Sequence, residues 1–367
     1  MSNFLKICKR RFYWERLRYA VFARTRSTGL WKFLSGMLTI GCAAATLFPN
    51  LNELVPFGSI VCMTMALIFI TSFVVMVFRD WLKLTIFIPP DIKQAGDYGM
   101  KVCLNLHDIL QPVEIEKNEK RDLVLLYNSN NIIGGIRNNL LSQFLCKYFP
   151  DKSGQTMDPS GCAMFNFELF RSCLENEESG VYSADDDWRD GAASDELKNK
   201  VLASLKDLRD AGSKETEVQN SFKQALAEPV LGWGKGIVIA LKLPENPDYQ
   251  YAYLICATCY KGNYEPYSDL PELTNCIRGV WKVAALKHIH QLPDCRISLP
   301  ILGKGYTQSS EAAFCILWEI VSSYRRATRD SKNGRFGISI YAPREILNLH
   351  ALPLSDLLFL LRFALLG

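Results

Sequence analysis

Hydrophobic and polar positions divide the chain into an uncharged region near its start and a longer region in which strand and helix patterns alternate. Two windows without charged residues, 33–52 and 54–78, are separated by Glu53. Each has roughly the 20 residues that a helix needs to cross a bilayer. The segment between them contains the helix-breaking Pro49 and Pro56. The pattern therefore predicts a hairpin of two transmembrane helices.

The charges beside these windows predict how the hairpin is oriented. Residues 1–32 contain nine Lys or Arg and one acidic residue, Arg79 and Lys83 follow the second window, and the turn has no Lys or Arg. Because basic flanks stay on the cytoplasmic side, both termini are expected in the cytoplasm. A basic segment rich in aromatic residues could bind nucleic acid, but beside a hydrophobic span it favours anionic lipid, so no nucleic-acid partner is expected. A signal peptide is the alternative for the first window, and the long basic leader disfavours it.

From residue 82 onward, short apolar runs alternate with segments of helical periodicity. Strands are predicted at 82–88, 101–109, 121–128, 236–243, 251–260, 295–302 and 336–343, and helices at 136–149, 194–208, 270–288 and 309–327. This alternation predicts an α/β domain at 82–367 with three layers, α/β/α, around a mixed and largely parallel sheet. An excess of acidic residues predicts a solvated insertion at about 175–220.

Cysteine and histidine residues give little indication of a metal site. The twelve cysteines are scattered, and with most of the chain in the cytoplasm they are expected to be buried free thiols, Cys315 among them. His288, His290 and Cys295 form a loose trio without a fourth ligand at a familiar zinc spacing. They are interpreted as ordinary helix-end residues, and no metal is expected.

Two glycine-containing turns connect a predicted strand to a predicted helix. One spans 127–139 and contains Gly134 and Gly135; the other is Gly303–Tyr306. Glycine lets backbone N–H groups approach phosphate oxygens, and the N-terminus of a helix attracts anions. Neither turn is a P-loop or a dinucleotide-binding GxGxxG motif. Two such turns suit a ligand with two phosphates.

The order of these motifs resembles that of macro domains. A macro fold has an Asp-Ile motif that contacts adenine, an Asn-x-x-Asn strand end with a glycine loop, and a late Gly-x-Gly loop around the diphosphate. The positions in this chain that match these motifs are Asp108, Ile109, Asn128, Asn131, Gly134, Gly135, Ile136, Leu302, Gly303, Lys304, Gly305, Tyr306 and Thr307. The resemblance therefore implies a macro-like fold that binds ADP-ribose or a related compound at these residues.

The segments LGWGKGIVIAL, YAYLICATCYKGNYEPYSDLPELTNCIRGVW and FGISIYAPREI are similar to the macro branch of the ThsA effectors of Thoeris anti-phage systems. That resemblance implies an effector in the bacterial inner membrane with no cofactor. Its signal, histidine-ADP-ribose or a related conjugate, would be made by a partner TIR-domain protein similar to ThsB. Binding would drive homo-oligomerisation, membrane disruption and abortive infection.

Two alternatives to a receptor are open at this point. Some macro domains hydrolyse ADP-ribosyl bonds, although neither glycine loop contains an obvious carboxylate or histidine to position water. A non-catalytic tether that recruits ADP-ribosylated partners is the second alternative. Small residues such as Gly36 and Gly41 would permit close packing either within the hairpin or between copies.

Overall fold

The computed structural model describes residues 85–88, 102–111, 120–128, 140–156, 164–183, 193–211, 236–244, 248–260, 266–267, 270–288, 295–302, 313–330, 336–350 and 352–366, together with four helical positions between 71 and 78. The first predicted membrane window lies outside these residues, as does most of the second. No helix among the described residues is both long enough and apolar enough to span a membrane. By its contacts the chain forms two compact units, residues 1–84 with 353–356 and residues 85–352 with 357–367.

The second unit is built on a mixed sheet. Its strands are β1 (Thr85–Ile88), β2 (Val102–Asn105), β3 (Lys120–Asn128), β4 (Gly180–Tyr182), β5 (Val238–Lys242), β6 (Tyr251–Tyr260), β7 (Pro266–Tyr267), β8 (Cys295–Pro300) and β9 (Gly337–Tyr341). They are ordered β1-β2-β9-β8-β3-β6-β5-β4, and β7 pairs with β6. The five strands β2, β9, β8, β3 and β6 are mutually parallel, whereas β1, β4, β5 and β7 are antiparallel to their neighbours.

The described helices are α1 (Leu140–Tyr148), α2 (Phe167–Glu175), α3 (Asp195–Ala211), α4 (Leu270–Lys287), α5 (Ala313–Asp330), α6 (Arg344–Leu349) and α7 (Leu354–Leu366). Polar residues cap the N-termini of two of these helices. Asn166 caps α2 by accepting a hydrogen bond from the Leu169 N–H at 3.0 Å. Ser194 does the same for α3 through the Leu197 N–H at 3.2 Å. Each cap satisfies one of the N–H groups that a helix start leaves without a partner.

Helices cover both faces of the sheet. Leu123 and Leu125 of β3 share one buried cluster with Phe144 of α1 and Phe170 of α2. On the opposite face, a side chain added at Gly279 of α4 would meet Val238 of β5 at 2.9 Å, so this helix packs directly on the sheet. Side chains alternate between faces along a strand, which gives the sheet one helical layer on each side.

The predicted α/β class and mixed sheet are confirmed, since every strand and helix span predicted from residue 82 onward contains or overlaps an element of that type. Helix α2 and strand β4 were not predicted, and β4 is a buried strand within the acidic segment. One cysteine prediction is wrong. Cys315 is exposed on α5 because its apolar neighbours, rather than its own side chain, face the core. Cys146 is partly buried, and Cys103, Cys173, Cys276 and Cys295 are buried.

Candidate ligand-binding site

The carboxyl ends of five parallel strands lie along one edge of the sheet. In register, Asn105 of β2 is opposite Tyr341 of β9, and Tyr341 is opposite Pro300 of β8. Strand β3 then pairs in parallel with β8 and β6. Ligands of open α/β sheets bind beyond the carboxyl ends of the strands. This edge is therefore the candidate binding site.

Asp108 and Ile109 lie three and four residues after β2. The Asp108 carboxylate accepts a hydrogen bond from the Leu110 N–H at 3.0 Å, and the backbone carbonyl of Asp108 accepts one from the Gln111 N–H at 3.1 Å. These two bonds form a tight turn that holds the half-buried carboxylate beside the strand end. The Ile109 side chain is 3% exposed and belongs to the core on the α1 side of the sheet.

The turn after β2 is anchored from several directions. The Tyr249 hydroxyl donates to the Ile109 carbonyl, and the Lys147 ammonium donates to the Leu110 carbonyl and forms an ion pair with Asp248 at 2.9 Å. These contacts join the turn to α1 and to the segment that leads into β6. A candidate site on an anchored turn is pre-organised, which lowers the entropic cost of binding.

His107 precedes this turn and contacts the end of β9. Its ring lies 5.3 Å from the Tyr341 ring in an edge-to-face arrangement, and neither ring nitrogen has a hydrogen-bond partner. Burial is the main cause that lowers the pKa of His107; the Asp108 carboxylate opposes it and the Arg121 guanidinium adds to it. A neutral imidazole at this strand end offers one donor and one acceptor to a ligand.

The ends of β3 and β8 complete the described part of the edge. The pairing of β3 with β6 shifts register between Tyr127 and Asn128, so that Asn128 is opposite Thr258. Such bulges are common next to binding sites, where they change the direction of the strand end. Leu302 follows β8 by two residues and is 1% exposed. The structure thus brings Asp108, Asn128 and Leu302 to the ends of parallel strands; Asn131, Gly134–Ile136 and Gly303–Thr307 lie outside the described residues.

A second polar cluster is buried at the amino ends of β3 and β8, on the α4 face. The Asp122 carboxylate accepts hydrogen bonds from the Tyr253 hydroxyl at 2.8 Å and the Tyr251 N–H at 3.2 Å. His288 Nε2 lies 2.5 Å from the Asp122 Oδ2, and Cys295 Sγ lies 3.8 Å from the same oxygen. The interpretation of His288 as an ordinary helix-end residue missed this network, because Asp122 is distant in sequence.

Asp122, His288 and Cys295 have the donor types of a metal site, with all three donor atoms within 4.8 Å of one another. Donors around a tetrahedral zinc ion lie roughly 3.3 Å or more apart, since each bond is about 2.0–2.3 Å long. The separation of 2.5 Å between His288 and Asp122 is instead that of a hydrogen bond. The arrangement therefore fits a buried hydrogen-bonded network better than a metal centre.

No protein-family model matches this chain, and no curated protein sequence matches it significantly.

Proposed function

We propose that the chain is a membrane effector whose α/β domain has a macro-like fold and binds an ADP-ribose-derived signal, such as histidine-ADP-ribose, at the carboxyl edge of the sheet. The observation that carries this proposal is the meeting of three motif positions at that edge. Asp108 and Leu302 follow β2 and β8, and Asn128 is the last residue of β3; these three strands end at the same side of one parallel array.

The described geometry supports separate roles along this edge. The half-buried Asp108 carboxylate suits the exocyclic amino group of adenine, which is a hydrogen-bond donor. The predicted turn at Gly303–Gly305 lies outside the described residues; it follows β8 in sequence, and its backbone N–H groups would face the diphosphate beyond that strand. Asn128 ends β3, which lies on the side of β8 away from β2, so it would contact the ribose on the far side of the diphosphate from adenine.

The predicted hairpin of membrane helices would disrupt the membrane once the signal is bound. Two membrane helices are too few to form a pore, so disruption of the membrane requires several copies of the chain. A ligand drives such assembly only if it binds the assembled state more tightly than the monomer. A shift from 1% to 99% assembled needs about a 10⁴-fold difference in affinity between the two states. The proposed partners are accordingly a TIR-domain enzyme that makes the signal, the lipid bilayer and further copies of the chain.

The test is calorimetric titration of the full-length chain in detergent with histidine-ADP-ribose and with ADP-ribose. Light scattering follows the mass of the protein, and chromatography follows the integrity of the ligand. We expect binding of intact ligand with an increase in mass, and loss of both in Gly303→Glu, where a carboxylate would face the diphosphate. Gln155→Glu adds the same charge at an exposed described position and serves as the matched control.

Other outcomes favour the alternatives. Steady cleavage of the conjugate would identify an ADP-ribosyl hydrolase. Binding without any change in mass would favour a tether that recruits ADP-ribosylated partners. Absence of binding to either compound would refute the proposal.

A further inference from the structure

Helix α7 is apolar around most of its circumference. Ten of its thirteen residues are apolar. Leu357, Leu361 and Ala364 are at most 1% exposed and face the core, whereas Phe359 and Phe363 are 71% and 55% exposed. A surface helix of a globular protein usually presents charged and polar residues on its outer face. The outer face of α7 therefore has the composition of a surface that another apolar phase or molecule covers.

The two exposed phenyl rings belong to an aromatic patch formed by Phe359, Phe363 and Trp318. The rings of Phe359 and Phe363 are stacked, with their centroids 6.2 Å apart. The Phe363 ring also lies 5.7 Å from the ring of Trp318 on α5, which is partly buried. Cys315, one turn before Trp318 on α5, is exposed. Single exposed apolar side chains are normal on soluble proteins, but a contiguous patch indicates an interaction site.

Charged side chains border the aromatic patch. Glu319 follows the tryptophan on α5, and its carboxylate lies 3.7 Å from Arg278 and 2.8 Å from Arg326. The glutamate is 17% exposed, whereas the two arginines are 53% and 54% exposed, so this border presents a net positive charge to water. Asp356 is exposed one turn before the patch on α7 and would remain in water. Aromatic rings bordered by arginine suit the boundary between the acyl chains and the anionic headgroups of a bilayer.

Two further observations favour lipid as the partner of this patch. The large hydrophobic side chains that are exposed among the described residues are Val74, Val75, Phe78, Leu286, Phe359 and Phe363. All of them except Leu286 lie either in the second predicted membrane window or on α7. In addition, only residues 79–84 separate that window from β1, which begins at Thr85. A fully extended chain of this length spans about 20 Å, so the predicted hairpin would keep the α/β domain close to the bilayer surface.

We propose that the aromatic patch docks on the surface of the lipid bilayer, with α7 in the plane of the membrane and the rings of Phe359 and Phe363 inserted below the headgroups. The thirteen residues of α7 extend about 20 Å, which is too short to cross a hydrocarbon core of about 30 Å. The helix therefore lies on the membrane and fixes the orientation of the α/β domain against it. This inference rests on the membrane hairpin of the proposed function and not on its ligand.

The test uses the full-length chain in vesicles of phosphatidylglycerol and phosphatidylcholine, with a fluorophore attached to the exposed Cys315. The part of the signal that a Cys315→Ser variant lacks is assigned to this position. Quenching by a lipid with a nitroxide near its headgroup reports contact with the bilayer, and quenching by iodide reports contact with water. We expect lipid quenching to fall at least about threefold when Phe359→Ser and Phe363→Ser are combined, because the rings that anchor α7 are lost. Leu286→Ser is the matched control, because it removes an exposed apolar side chain from α4 and should leave the quenching unchanged.

Equal lipid quenching in the wild type and in the double variant would overturn the proposal, as would a label that iodide reaches equally in both. A label that is protected from iodide but not quenched by lipid would overturn it as well, because protein, such as a second copy of the chain, would then cover the patch. If the double variant does not fold, Phe359→Ser alone decides the result, since that side chain is the more exposed of the two.

Extraction of the vesicles with alkaline carbonate separates failure of this inference from failure of the proposed function. A chain that stays with the lipid while its Cys315 label remains in water would refute the docking of the aromatic patch alone. A chain that carbonate releases would refute the membrane hairpin, and the docking that rests on it.

Discussion

Replacement of Asp122 by alanine should severely destabilise the α/β domain. The side chain is fully buried and accepts hydrogen bonds from Tyr253, from the backbone of Tyr251 and from His288. The substitution would leave these donors without an acceptor, which costs about 1–3 kcal/mol for each donor. Two effects partly offset this cost: water can enter the space that the side chain leaves, and the protein no longer has to keep a carboxylate away from water. Removal of one partner from a buried pair typically costs about 3–5 kcal/mol, and we expect about 4 kcal/mol. The total free energy of unfolding of a domain is about 5–15 kcal/mol, so a loss of this size would remove a large fraction of the stability.

The assay is thermal unfolding of the full-length chain followed by near-ultraviolet circular dichroism, to which the buried Trp281 contributes. A loss of about 4 kcal/mol should lower the unfolding temperature by on the order of 10 °C. Glu196→Ala is the control: that carboxylate is 76% exposed in its ion pair with Lys200 on α3, and its loss should change the unfolding temperature little. A cost for Asp122→Ala no larger than the control would refute the argument.

A double-mutant cycle tests whether Asp122 acts through His288. Because each residue satisfies the other, the double substitution Asp122→Ala with His288→Ala should cost at least 1 kcal/mol less than the sum of the single substitutions. Additive costs would show that the two side chains are not coupled. A chelator or added zinc should leave the unfolding temperature unchanged, because the network is hydrogen-bonded rather than metal-bound.

Three further predictions concern helix packing, pH and the candidate site. Gly279→Ala gains about 1 kcal/mol of helix propensity, but its Cβ meets Val238 at 2.9 Å and the Gly236 carbonyl oxygen at 3.3 Å, so thermal unfolding should show a net loss of about 1 kcal/mol that becomes smaller in a Val238→Ala background. The pKa of His107 is lowered from 6.5 in the folded state, so stability should be complete above about pH 6.5 and fall as the pH drops below it; His107→Gln should flatten the profile of unfolding temperature between pH 7 and 5. Asp108→Asn keeps the acceptor for the Leu110 N–H, so it should preserve stability but weaken ADP-ribose binding about tenfold in calorimetry, because a charge-assisted hydrogen bond becomes neutral. A normal affinity in that variant would exclude Asp108 as an adenine contact.

The long periodic elements could be predicted from the sequence, and the short or weakly patterned ones could not. Strand β6 and helix α4 have ten and eighteen residues, enough for a clear apolar period, and both were predicted almost to the residue. Strand β4 has only three residues and lies in an acidic segment, where composition favours a solvated loop. It forms because β5 offers an edge to pair with, which is a tertiary effect that local pattern does not record.

The sequence predicts which motifs form the candidate site and the order in which they occur, but not which of their residues lie next to one another in the structure. Alternating strands and helices indicate a largely parallel sheet, and its carboxyl edge follows from that. The order of the strands does not: β9 is the last strand in the chain but lies between β2 and β8. The contact of His107 with Tyr341 and the pairing of Arg121 with Arg296 depend on this order, so neither could be identified from sequence.

Strand β8 shows why a polar period does not always indicate a surface. Arg296 and Ser298 alternate with Ile297 and Leu299, a pattern that in an antiparallel strand indicates one face in water. In the structure all four residues are at most 2% exposed, so the polar face is covered as fully as the apolar one. Burial of charge and hydroxyl groups lowers stability unless they are paired, and a sequence optimised for stability alone would place apolar residues there. Arg121 extends the polar row from β8 onto β3, so the row is a property of the assembled sheet that the pattern of a single strand does not record.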